Sequence, residues 1–185
     1  LAARRRRDVY YQTDTHWNTY GGFKGYQVLM SAITKDFPSI KPFQDEDFHF
    51  SEMYNSEGDL AAMLGLSTVR KRKEYNMVFK DTSRKLDYNF PSTMVLRMKH
   101  TIPGDTSRLK LLMFRDSYGS YLIPFLNQHF SETVYAWNYI FMDRLIEEEK
   151  PDIVVFETLQ RFLLYSILMG NPTVVNQSVT PANSF

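Results

Sequence analysis

The chain has 185 residues, of which 43% are hydrophobic, 23% charged and 15% aromatic, with a formal net charge of +1, no cysteine, 8 glycines and 8 prolines. These values exclude a disordered, collagenous or low-complexity chain and fit one globular domain large enough to bury a sizeable core. The missing cysteine removes disulfides, zinc–thiolate sites and thiol nucleophiles together.

The longest apolar stretch, residues 162–169, is about half of what a membrane helix needs, so no span is expected. The chain opens Leu1-Ala2-Ala3-Arg4 without a signal-peptide pattern and reads as a piece of a longer protein. Two basic clusters, Arg4-Arg5-Arg6-Arg7 and Arg70-Lys71-Arg72-Lys73, suit an anionic glycan or a membrane surface, or are simply solvated faces and a helix end. No RNA-binding signature accompanies them, so no nucleic-acid partner is expected.

In chain order, residues 8–13 alternate enough for a short strand. Tyr26, Leu29, Met30 and Ile33 stand at helical spacing, and Pro38 closes that helix. Residues 36–58, rich in Asp, Glu, Pro, Phe and Ser, predict a long surface excursion. A short helix over 60–66 and strands over 74–80 and 93–99, antiparallel or at an edge, follow. A regular rhythm then begins: strand 109–114, helix 117–130, strand 133–137, helix 143–150, strand 152–156 and helix 159–169. Such alternation with short connections predicts neighbouring parallel strands. Residues 171–185 carry no charge and read as a loosely held tail.

In open α/β sheets, ligands bind at the carboxyl ends of the strands. The first such end is Phe114-Arg115-Asp116-Ser117-Tyr118-Gly119, where Ser117 would open a helix with free amides beside its hydroxyl. The bland alternative is that Ser117 caps that helix. A second segment, Asp14-Thr15-His16, offers a base and a carboxylate to orient it. The pair could instead cap the helix that follows or join Asp59 or Asp116 around a metal, although no metal is assigned. His49, His100 and His129 lie in structural contexts. Asp59 is expected to cap the short helix after it.

Tyr11-Gln12-Thr13-Asp14-Thr15-His16-Trp17-Asn18, Gly58-Asp59-Leu60-Ala61-Ala62-Met63-Leu64-Gly65-Leu66, the Ser117 block through Leu122-Ile123-Pro124-Phe125-Leu126, and Pro151-Asp152-Ile153-Val154-Val155 with Gln160-Arg161 occur in this order. Together they resemble the signature blocks of the SGNH hydrolase-like polysaccharide O-acetyltransferases typified by AlgX and AlgJ, the DHHW-type proteins. The resemblance implies an α/β three-layer sandwich with a mainly parallel central sheet and an irregular insertion. The domain would occupy residues 1–170 and be incomplete at its N-terminus, because the family domain begins with a strand before the Asp-x-His motif.

It further implies acetyl transfer to, or removal from, a sugar hydroxyl of an extracytoplasmic polysaccharide, at the periplasmic or extracellular face of the cell envelope. Ser117 would be the nucleophile, His16 the base and Asp14 its orienting carboxylate, with no cofactor. Tyr118, Arg115, Trp17 and Arg161 are the candidates for oxyanion or substrate contacts. The second oxyanion donor is unassigned. The partners implied are the polysaccharide acceptor and a membrane-bound O-acyltransferase that delivers the acetyl group. The competing reading is a catalytically degenerate glycan-binding scaffold subunit.

Overall fold

The computed structural model describes residues 7–55, 58–66, 71–88, 97–102 and 108–169. The expected tail 171–185, residues 93–96 of the third expected strand, and Arg4, Arg5, Arg6 and Arg70 lie outside the described residues.

Helix α1 (Thr19–Asp36) starts where the Asn18 side chain accepts a 2.8 Å hydrogen bond from the Gly21 amide. Tyr20, Phe23, Tyr26, Met30 and Ile33 form its buried face, and it stops at Phe37, ahead of Pro38. Burying each such side chain is worth roughly 1.5–3 kcal/mol, so this face is a main support of the fold.

The expected excursion after α1 contains a strand, β1 (Phe48–Asn55), which pairs antiparallel with β2 (Arg72–Phe79). The pairing places Phe48 opposite Phe79 and Phe50 opposite Met77. Phe43 and Phe48 are buried in the main core. Between these strands lies the short helix α2 (Asp59–Met63).

The sheet that carries the site has the order β3 (Arg97–Thr101), β5 (Glu132–Trp137), β4 (Lys110–Arg115), β6 (Ile153–Phe156). β4 runs parallel to both β5 and β6, as the strand–helix rhythm predicts, and β3 is an antiparallel edge. β4 is buried on both faces, hence its unbroken apolar run. Leu111, Met113 and Tyr135 face α1 and helix α3 (Ile123–Leu126), while Leu112, Phe114, Val134 and Ala136 pack with Leu145 of α4 (Asp143–Glu149). Helices therefore cover both faces of a mainly parallel sheet. Helix α5 (Gln160–Met169) closes the described chain, and no helix is long and apolar enough to cross a membrane.

Two expectations change. Residues 8–13 make only a single bridge, Tyr10 to Trp17, because the backbone turns back on itself and the Tyr11 amide reaches the His16 carbonyl. The expected helix over 117–130 is a 3₁₀ turn, Tyr118–Leu122, followed by the four residues of α3. Pro124 lacks an N–H and sits at the start of α3, where that loss costs nothing.

Candidate active site

The Asp14–His16 segment is held as a tight turn. Asn18 N–H donates to the Val9 carbonyl at 3.2 Å, closing the turn from outside. Inside it, one Asp14 oxygen accepts both the His16 amide at 2.9 Å and the His16 ring Nδ1 at 2.7 Å. A carboxylate can only accept, so Nδ1 carries the proton and Nε2 is left as an acceptor. The second Asp14 oxygen receives the Arg72 guanidinium at 2.9 Å and the Asp59 amide at 3.4 Å.

Asp59 does not cap α2. Gly58 occupies the cap position, and the Asp59 carboxylate takes the Thr15 amide at 2.7 Å and the Thr15 hydroxyl at 2.5 Å. The α2 amides of Leu60 and Ala61 are satisfied instead by the Thr13 carbonyl, at 3.1 and 3.2 Å. Gly58 is needed for this approach, since a Cβ there would stand 2.2 Å from that carbonyl oxygen. Asp59 thus fixes the residue between the carboxylate and the imidazole. Asp59→Ala should lower turnover about 10-fold, because small displacements of reacting groups are costly. Kinetics paired with a thermal melt check this. Lost melting temperature with unchanged turnover would return Asp59 to a purely structural role.

The serine arrives from the other side. β4 ends at Arg115, Asp116 turns the chain, and Ser117 leads into the 3₁₀ turn with its side chain making no cap hydrogen bond. Its hydroxyl instead donates to His16 Nε2 at 2.8 Å, across a sequence separation of 101. Asp14, His16 and Ser117 therefore form one continuous hydrogen-bonded chain.

The other four candidates have different placements. Trp17 braces the serine turn, its indole N–H donating to the Tyr118 carbonyl at 3.1 Å. The Tyr118 hydroxyl donates back to the Thr15 carbonyl, and its ring lies 4.9 Å from that of His16. The Tyr118 amide, however, donates to the Asp116 carboxylate at 2.8 Å and so is not available to an oxyanion. Arg115 is buried beneath the turn, bonded to the Ser120 hydroxyl at 2.8 Å and stacked over Trp137, so it does not face the cleft. Arg161 is exposed at the start of α5, beside Phe162, and bears on the site through its charge on Tyr118.

Sequence reasoning missed two residues. Arg72 appeared only as part of a basic cluster. Its pairing partner lies 58 residues away and has no local signature. Glu157, at the end of β6, accepts the Asp116 amide at 3.1 Å. Nothing in its sequence context separates it from an ordinary surface glutamate.

The electrostatics follow from these contacts. Burial alone would raise the Asp14 carboxyl, but the His16 amide and ring and the Arg72 charge outweigh it and hold Asp14 below its ordinary value. A depressed carboxyl stabilises the fold above the ordinary carboxylate range, and that contribution is lost as pH falls through the lowered value. Burial, then the neighbouring Tyr121 and Glu74, push the Tyr11 phenol up. Asp14, His16 and Asp59 offer ligand atoms within 4.8 Å of one another. Both Asp59 oxygens are already engaged by Thr15 and a guanidinium sits on Asp14, an arrangement that disfavours a cation.

Ser117 and His16 open into a cleft of about 520 Å³ rimmed by Tyr11, Arg72, Tyr75, Tyr88, Tyr121 and Trp137. A larger groove of about 1080 Å³ lies at the far end of α1, around Phe37, Phe43 and Phe79, and includes none of the three linked residues.

Residues 1–138 match the family described as ALGX, SGNH hydrolase-like domain, acetyltransferase AlgX. The chain belongs to this family. Among curated proteins none matches it. The AlgX-type fold is shared with a DHHW family protein from Eubacterium siraeum, at a TM-score of 0.58 and 16% identity over 83% of this chain and 60% of that one. It is shared as well with Bacillus cereus PatB1 bearing a sulfonyl adduct, at a TM-score of 0.59 and 18% identity over 80% of this chain and 58% of that one. The AlgX-type chain described here thus spans about three-fifths of the length of these solved structures.

Proposed function

We propose that this domain transfers an acetyl group to a sugar hydroxyl of a polysaccharide through an acetyl-Ser117 intermediate, outside the cytoplasm. The observation that carries this reading is the 2.8 Å contact between the Ser117 hydroxyl and His16 Nε2, with Asp14 on the opposite ring nitrogen. Membership of an acetyltransferase family supports the group transferred.

In this mechanism His16 Nε2 removes the Ser117 proton as Oγ attacks the acetyl carbonyl. Asp14 stabilises the imidazolium. The donor's leaving oxygen takes that proton as its bond to the acetyl carbon breaks. A sugar hydroxyl then enters, gives its proton to His16, and attacks the acetyl-serine carbonyl. Collapse releases the O-acetyl sugar and returns the proton to Ser117. Water in place of the sugar makes the same steps an esterase. The Ser117 amide is the oxyanion donor we assign, since no described residue accepts from it. Within this proposal a membrane-bound O-acyltransferase partner supplies the acetyl group.

PatB1 carries a sulfonyl adduct, and the same chemistry provides the test here. Ser117 Oγ should attack the sulfur of an arylsulfonyl fluoride, giving its proton to His16 and expelling fluoride, and leave one sulfonate ester, read by intact mass and peptide mapping. The adduct should be absent from Ser117→Ala and strongly slowed in His16→Ala. No adduct, or one on another residue, would overturn the serine mechanism and leave a glycan-binding scaffold as the remaining reading.

A further inference from the structure

The turn around Ser117 is held from beneath by two carboxyl groups. Asp116, 1% exposed, accepts the Tyr118 amide at 2.8 Å on one oxygen and the Leu159 amide at 2.8 Å on the other. Glu157 accepts the Asp116 amide at 3.1 Å and also a hydrogen bond from the Gly119 amide. The fit is close, since a Cβ on Gly119 would stand 2.8 Å from Glu157 Oε2. Of the amides of residues 116–119, three are thus held by these two carboxyls, and Ser117 is the exception.

We propose that Asp116 and Glu157 are a positioning pair for the serine turn, clamping the amides around Ser117 so that its own N–H alone faces the reacting oxygen. This rests on the acetyl-serine reading above, and adds to it a pair that touches neither donor nor acceptor.

The groups facing the pair are few. Arg115, from the end of β4, places its guanidinium near both carboxyls, and Tyr135 of β5 acts in turn on Arg115. Arg161 of α5 acts on Tyr118 rather than on the pair. Partial burial first, then the charge of Asp116, push the Glu157 carboxyl up to about 7. Glu157 therefore ionises around neutrality, a second negative charge then stands beside Asp116 under the turn, and the clamp loosens.

The test uses the intact protein, an activated acetyl ester and an oligosaccharide acceptor, across a range of about pH 6 to 9. In the unaltered protein kcat should fall as pH rises through about 7, with KM nearly constant. Glu157→Ala should lower kcat at least ~10-fold throughout, again with little change in KM. Glu157→Gln keeps an acceptor oxygen for the amides and cannot ionise. It should recover most of the alanine loss and show no alkaline decline of its own. Amide hydrogen exchange at Tyr118 and Gly119, which needs no activity, should quicken in Glu157→Ala and not in Glu157→Gln. A glutamine variant that declines with pH as the unaltered protein does, or exchange at both amides unchanged by alanine, would overturn the proposal. Absence of any Ser117 adduct in the unaltered protein is a different failure: it ends the acetyl-serine reading while the exchange measurement still reports on the clamp.

Discussion

Ser117→Ala should reduce acetyl transfer by at least ~10³-fold and leave the melting temperature within a few degrees, because it deletes one half-exposed hydroxyl. His16→Ala should fall as far, since the hydroxyl at 2.8 Å then has no acceptor for its proton. The Ser117→Ala, His16→Ala double variant should be hardly worse than either single one, because groups acting as a unit are non-additive. Asp14→Ala should be milder, as Asp14 acts only through the imidazole. It should also cost stability, because the Arg72 guanidinium and the His16 amide lose their acceptor. Steady-state kinetics on the four variants decide the matter. Losses that multiply in the double variant would mean that the two side chains do not share a proton path.

Gly22→Ala should be among the most damaging changes outside the linked residues. A Cβ at position 22 would stand 2.4 Å from Tyr121 Cβ and 2.9 Å from the Tyr121 carbonyl oxygen. These atoms belong to the 3₁₀ turn that Ser117 opens, while α1 follows directly on the His16 turn. The glycine is therefore where the two halves of the site touch. Overpacking of this kind costs ~1–3 kcal/mol, or roughly 2–12 °C in a domain of this size. Because relief requires α1 to move away from the turn, the His16–Ser117 contact should lengthen, and turnover should drop about 10²-fold. A variant that melts and turns over like the parent would show that the helix and the turn are not in close contact.

The second half of the chain was legible from its residues alone. β4, β5, β6, α4 and α5 lie within a residue or two of where periodicity puts them, because a strand buried on both faces must be an apolar run such as Leu111-Leu112-Met113-Phe114. The hairpin was hidden for the converse reason. β1 alternates Phe48, Phe50 and Glu52 on one face, but its acidic, serine-bearing context reads as loop, and only its partner strand 17 or more positions away makes it a strand. Pro124 and Gly119 mark where the expected long helix after Ser117 breaks up, a signal present in the residues but outweighed by the apolar spacing around them.

At the site, Asp14, His16 and Ser117 were visible as chemistry-bearing types at strand ends, and the structure links them. Asp59 and Arg115 were visible but misread, because whether a carboxylate caps a helix or pins a neighbouring turn depends on where Thr13 and Thr15 pass in space. Arg72 and Glu157 carry no local pattern at all. Their importance comes entirely from what the fold sets beside them.

The guanidinium that neutralises the far side of Asp14 comes from a two-stranded ribbon, whereas the serine comes from the main sheet. Reactivity is thus adjusted from one part of the architecture and delivered from another. Descent with modification can exploit such a division. Replacing or reshaping the ribbon would alter how strongly the imidazole attracts a proton, and which groups crowd the cleft mouth beside Tyr75 and Tyr88, without disturbing the strand that presents the hydroxyl. The ribbon is where lineages of this family could diversify, and grafting it between relatives is a route to exchanging what borders the cleft while the serine stays in place.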